Sequence, residues 1–77
     1  MNVTIRTTLD LKGLSCPMPI VKTAKAMKGL IQGDVVEVLA TDPGSVRDFE
    51  AWCKTTRNEL LEQSEADGVF RYVIKKG

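Results

Sequence analysis

The stretch Leu14-Ser15-Cys16-Pro17-Met18-Pro19 limits the fold more than any other part of the chain. Two prolines one residue apart do not fit a helix interior or a central strand. Both are accepted in a first helical turn, where the missing N–H groups would have no intrahelical partner. From Ile20 onward apolar residues recur at helical spacing, with Ile20, Val21, Ala24, Met27 and Ile31 on one stripe. The pattern predicts a loop that becomes a helix near residue 17 and ends at residue 27 or 30, with Gly29 and Gly33 as stop signals. Cys16 then falls at or near the N-cap, facing unpaired N–H groups and the positive end of the helix dipole. A thiolate is expected there, since helix N-termini and nearby cations bring a cysteine pKa from about 8.5 to roughly 3.5–7.5. A lone cysteine is often only a small buried hydrophobe. The prolines, the small Gly13 and Ser15, and the loop position argue instead for an exposed sulfur.

Before this loop, Val3, Ile5, Leu9 and Leu11 alternate with polar neighbours, which predicts a half-buried strand over 3–11. After the helix, Val35-Val36-Glu37-Val38-Leu39-Ala40 is β-rich and nearly continuously apolar, as suits a central strand. A strand, helix and strand in this order favour a parallel pair. Thr41-Asp42-Pro43-Gly44 is a turn, and Ser45 followed by Asp48 has the spacing of an N-cap with an acidic residue at N3. The second helix puts Val46, Phe49, Trp52, Cys53 and Thr56 on one side, so Cys53 reads as core filler. Asp67-Gly68 is a hairpin turn before the strand Val69-Phe70-Arg71-Tyr72-Val73-Ile74, and residues 59–64 are its nearest partner. The expected fold is α+β, a two-layer sandwich in the order β-α-β-α-β-β with both helices on one face. One domain spanning 1–77 is expected.

Composition narrows the chemistry. The chain has no histidine, so neither a Cys-His nor a Ser-His-Asp arrangement can form within it. Its two cysteines, Cys16 and Cys53, lack the spacing of a zinc-ligand pair, and neither a metal nor a cofactor is expected. A nucleophile without a histidine base suits exchange better than hydrolysis. A net charge of +1 does not suggest a nucleic-acid binder. No apolar run has the length of a membrane span and no signal-like segment follows Met1, so the expectation is a cytoplasmic protein without a membrane partner. Two cysteines also fit a reducing compartment better than a disulfide scaffold. Lys22 and Lys25 lie on the outer face of the first helix with Met18 nearby, either as a solvated face or as a docking surface beside the sulfur.

The chain resembles the TusA (SirA-like) family of small sulfur carriers. The resemblance begins at Leu9-Asp10, passes through Gly13-Leu14 and continues in Cys16-Pro17-Met18-Pro19-Ile20, Lys22 and Ala24-Lys25. It resumes at Ala40-Thr41-Asp42-Pro43-Gly44-Ser45-Val46 and Asp48-Phe49, and extends through Asn58-Glu59-Leu60-Leu61 to the terminal hairpin. It implies a four-stranded mixed sheet covered by two helices, and a persulfide carried on Cys16. It also implies a sulfur donor such as a cysteine desulfurase or rhodanese, and a DsrE-like sulfurtransferase as acceptor or donor. Related carriers serve tRNA thiolation, cofactor biosynthesis and sulfur oxidation. Gly13, Leu14, Ser15, Pro17, Met18, Pro19, Lys22 and Lys25 are the candidate loop and partner-binding residues around Cys16. A monomer is expected, because a carrier that shows one loop to several partners gains little from burying it. Arg57 departs from the family, which commonly has glycine there; Asn58 is the residue that could supply a left-handed helix end instead.

Two other readings compete with the carrier. One is a non-catalytic nucleic-acid- or protein-binding module, since fold alone does not determine function. Only Phe70 and Tyr72 could stack bases from one strand, and their spacing fits a core face better. The other is a redox sensor in which Cys53 resolves an oxidised Cys16, which a buried Cys53 would oppose.

Overall fold

Two neighbouring strands that run parallel need a connection long enough to return the chain to its starting end, and the first helix provides it. The computed structural model describes residues 4–77, so Val3 of the expected first strand lies outside the described residues. The elements are β1 (Ile5–Asp10), α1 (Met18–Met27), β2 (Val35–Ala40), α2 (Ser45–Thr56), β3 (Glu59–Ala66) and β4 (Val69–Lys75). They form a four-stranded sheet in the order β1-β2-β4-β3, with both helices on one face. β1 pairs parallel with β2, β2 antiparallel with β4, and β3 with β4 as a hairpin. Asp67 and Gly68 both have positive φ (52° and 79°), which gives the tight turn the right twist for its strands.

The core follows from the alternation of the two central strands. Val36, Val38 and Ala40 of β2 stand opposite Ile74, Tyr72 and Phe70 of β4 and form the row facing the helices. Phe49 of α2 stacks on Tyr72 with ring centroids 4.5 Å apart, and Trp52 meets Phe49 edge-on at 6.1 Å. Cys53 lies in the same cluster, 4% exposed. Burial of side chains of this size contributes roughly 1.5–3 kcal/mol each. Ser45 is also buried, and its hydroxyl meets the Tyr72 hydroxyl at 2.7 Å, which satisfies both polar groups. On the helix-free face, Glu37 of β2 accepts hydrogen bonds from Thr8 and Arg71, and Arg71 also reaches Glu62 at 3.5 Å. Charged side chains thus dress the uncovered face of the sheet.

Several local expectations are corrected. On α1 the inward residues are Pro19, Thr23 and Met27, with Ile20 and Leu30 beside them. Val21 and Ile31 are 50% and 74% exposed. An apolar stripe passes over Pro19 and Thr23, yet both are fully buried. Ser45 is the first residue of α2 and not its N-cap; Gly44 is the N-cap, and the Ser45 hydroxyl is spent on Tyr72. Thr56 is exposed and donates to the Trp52 carbonyl at 2.7 Å. Arg57 itself adopts the left-handed conformation that ends α2 (φ 62°). Asn58 instead uses its side chain, donating to Thr56 Oγ1 at 2.9 Å and accepting from Gly77 N–H at 3.0 Å.

Candidate functional site

The parallel β1–β2 pair brings two loops together at one end of the sheet: the cysteine loop after β1 and the 41–44 turn after β2. Leu11 N–H bonds the Leu39 carbonyl at 2.8 Å, extending the ladder past the end of β1. From there Gly13 N–H donates to Thr41 Oγ1 at 2.9 Å. Cys16 N–H donates to Asp42 Oδ2 at 2.8 Å. The other Asp42 oxygen accepts Gly44 N–H at 3.2 Å, so one carboxylate ties both loops. The Cys16 thiol donates to Asp48 Oδ2 at 2.9 Å, from the first turn of α2. Cys16 is exposed, and its peptide bond to Pro17 is cis.

The electrostatics of the sulfur differ from the sequence expectation. Cys16 precedes the Pro17 N-cap of α1, and its thiol is held above the ordinary thiol range, not below it. The hydrogen bond to Asp48 is the largest cause, followed by desolvation and by the charges of Asp48 and Asp42. A carboxylate acceptor stabilises the protonated thiol, and two nearby negative charges disfavour a third. Burial pushes the Cys53 thiol up to about 11.

The other predicted residues separate into two groups. Leu14 is half-buried against the core and Pro19 is fully buried, so these two anchor the loop. The Ser15 carbonyl accepts Met18 N–H at 2.8 Å, and the Pro17 carbonyl accepts Val21 N–H at 3.1 Å. Gly13, Ser15, Pro17, Lys22 and Lys25 are exposed, and Met18 is 39% exposed. Met18, Lys22 and Lys25 therefore share an outer stripe of α1, which Val21 joins. Sequence reasoning assigned Thr41, Asp42 and Asp48 to a turn and a helix start, and missed Thr41 as a partner of the cysteine loop and the two carboxylates as partners of Cys16. All three lay within the stretch carrying the family resemblance, but their approach to the cysteine loop depends on strand pairing. Among the described residues, no group of three or more His, Cys, Asp or Glu is arranged to hold a metal.

Comparison with known proteins identifies the family. The family model described as Sulfurtransferase TusA matches residues 7–76. The chain belongs to the TusA family. It is 50% identical over 68 residues to the sulfur carrier protein TusA of Allochromatium vinosum, covering 88% of this chain and 90% of that protein. It is 48% identical over 73 residues to a putative sulfur carrier protein of Halobacterium salinarum, covering 94% and 90%. The crystal structure of a SirA-like protein from Desulfitobacterium hafniense matches with a TM-score of 0.81 and 30% identity, over 92% of this chain and 97% of that one. As a TusA-family sulfur carrier, the chain belongs to a class that relays sulfur as a cysteine persulfide and does not complete a catalytic cycle of its own.

Proposed function

We propose that Cys16 is the sulfur-carrying residue of this TusA-family protein. The observation that carries the reading is the contrast between the two thiols: Cys16 is exposed on a loop, whereas Cys53 is buried. Transfer from a donor persulfide R–S–SH forms a bond between Cys16 Sγ and the sulfane sulfur and breaks the S–S bond of the donor. The Cys16 proton leaves, and a proton returns to the departing donor thiolate. The products are Cys16–S–SH and R–SH, with no net oxidation. Delivery to an acceptor thiol repeats the exchange in the other direction. The donor is a cysteine desulfurase or rhodanese, and a DsrE-like sulfurtransferase is acceptor or donor. Met18, Lys22 and Lys25 form the face these partners meet, while Leu14 and Pro19 hold the loop from beneath and spare it an ordering cost at each encounter. The carrier works as a monomeric single domain in the cytoplasm, without direct contact to nucleic acid.

Intact-mass measurement after exposure to polysulfide, or to thiosulfate with a rhodanese, tests this assignment. The expected product is a reducible adduct of one sulfur atom on wild type that is absent from Cys16→Ser. A serine variant that still accepts and delivers sulfur would overturn the assignment, as would a wild-type thiol open to alkylation but inert to every donor.

A further inference from the structure

An exposed thiol that serves several partners must also be kept from unintended ones, and Asp48 stands where it can impose that restraint. Its Oδ2 accepts a hydrogen bond from the Cys16 thiol at 2.9 Å. The carboxylate is delivered from α2, a different element from the cysteine loop, so β2 and its turn fix the distance and not local chain geometry. Asp42 stands on the same side, bound to the Cys16 N–H. Neither carboxylate is matched by a cation: among the described residues the ion pairs are Lys12 with Asp10, and Arg71 with Glu37 and Glu62. Lys22 and Lys25 of α1 and Arg47 of α2 are exposed and pair with neither. The charges acting on the sulfur are thus both acidic, one from α2 and one from the β2–α2 turn.

Building on the reading of Cys16 as the carrier, we propose that Asp48 is a positioning residue that latches the Cys16 thiol in the free protein, and that a partner releases it by bringing a cationic side chain to Asp48. In the free carrier the thiol proton sits between Sγ and Asp48, which holds the sulfur in one orientation and keeps it a weak nucleophile. The raised acid range of the thiol agrees with this arrangement. A lysine or arginine arriving with a donor persulfide pairs with the carboxylate, removes its hold on the proton and offsets the negative field. The thiolate then forms the new S–S bond as the donor S–S bond breaks, and the proton passes to the departing donor sulfur. The balance is that of the exchange above; the cation changes only when the proton leaves.

Iodoacetamide alkylation of Cys16 as a function of pH tests the latch without requiring sulfur loading, so its failure is distinct from failure of the carrier assignment. Asp48→Asn should move the reactivity profile to lower pH and react several-fold faster at neutral pH. Asp48→Glu, which keeps the charge, should return the profile toward wild type. The cationic release is tested with two peptides carrying an aromatic mixed disulfide, one with arginine beside the cysteine and one with glutamate. Wild type should favour the arginine peptide by roughly tenfold at low salt, and both added salt and Asp48→Asn should reduce the preference. An unchanged pH profile in Asp48→Asn would overturn the proposal. So would a variant slower at every pH, which would make Asp48 an activating base, or a wild type indifferent to peptide charge. The wild-type peptide measurement needs no variant and stands even if Asp48→Asn folds poorly.

Discussion

Cys16 and Cys53 are both thiols kept protonated beyond the ordinary range, but for opposite reasons. Cys53 is protected by the absence of water: it lies in the apolar cluster with Phe49 and Tyr72, and burial alone moves its pKa to about 11. Cys16 is exposed and restrained by a hydrogen bond to a carboxylate, with further opposition from Asp42. Restraint by burial ends only when the structure opens. Restraint by a neighbouring charge ends when that charge is matched, which a docking protein can do without disturbing the fold. One chain therefore holds a buried thiol and an exposed one, and the residues around each sulfur distinguish them.

The largest expected effect separates the two outright. Cys16→Ser should abolish sulfur loading, and Cys53→Ala should leave it intact, as read by intact mass after polysulfide treatment. Loading that disappears with Cys53→Ala in a folded protein would break the contrast and revive a two-cysteine mechanism. Next in size is stability. Cys53→Ser puts a hydroxyl in an apolar site and should cost about 1–2 kcal/mol, part of it recovered if the new hydroxyl bonds back to its own helix. Cys16→Ser should leave the urea midpoint unchanged. Equal destabilisation by both would mean that the cysteine loop carries more of the fold than its exposed sulfur suggests.

The order of elements along the chain, the parallel first pair and the terminal hairpin were legible in the sequence because each rests on a local pattern, whereas the insertion of β4 between β2 and β3 was not. Alternation in β1, the apolar β-rich run of β2, the Asp67-Gly68 turn and the prolines before α1 each constrain a few adjacent residues. The rotation of α1 was less accessible. A count of apolar residues selects Val21 and Ile31, whereas the packed helix turns inward Pro19 and a polar Thr23. The neighbours of the sulfur were least accessible of all. Asp42 and Asp48 lie 26 and 32 residues from Cys16 and reach it only once β1 and β2 are paired. Local reading could place the thiol at a helix start and assign it the dipole, but it could not see the two carboxylates that hold the thiol above its ordinary range.

Alkaline pH sharpens the comparison on the buried side. The Cys53 pKa is raised in the folded state, so its contribution to stability is complete below the ordinary thiol range near 9 and is lost as pH climbs toward 11. Above pH 9 the unfolded chain releases the thiol proton while the folded chain retains it, and the equilibrium moves toward unfolding. The Tyr72 phenol, also raised chiefly by desolvation, adds to the same fall. Urea midpoints should therefore decline between pH 9 and 11, and Cys53→Ala should decline less steeply. Parallel curves for the two proteins would show that Cys53 exchanges with solvent in the folded state.

The smallest effect concerns another polar group in the core that holds Cys53. Thr23 is fully buried, and its Oγ1 has no hydrogen-bond partner among the described residues. A buried hydroxyl without a partner costs about 1–3 kcal/mol, and valine has nearly the same shape and a similar helix propensity. Thr23→Val should raise stability by about 1 kcal/mol, or roughly 4–8 °C in Tm for a domain of this size, and leave sulfur loading unchanged. A loss of stability would mean that the hydroxyl finds a partner in solution, such as the carbonyl one turn earlier on α1. A stabilised variant with slower loading would mean that the hydroxyl gives α1 a looseness that the cysteine loop uses, and the separation between the buried core and the exposed sulfur would then be incomplete.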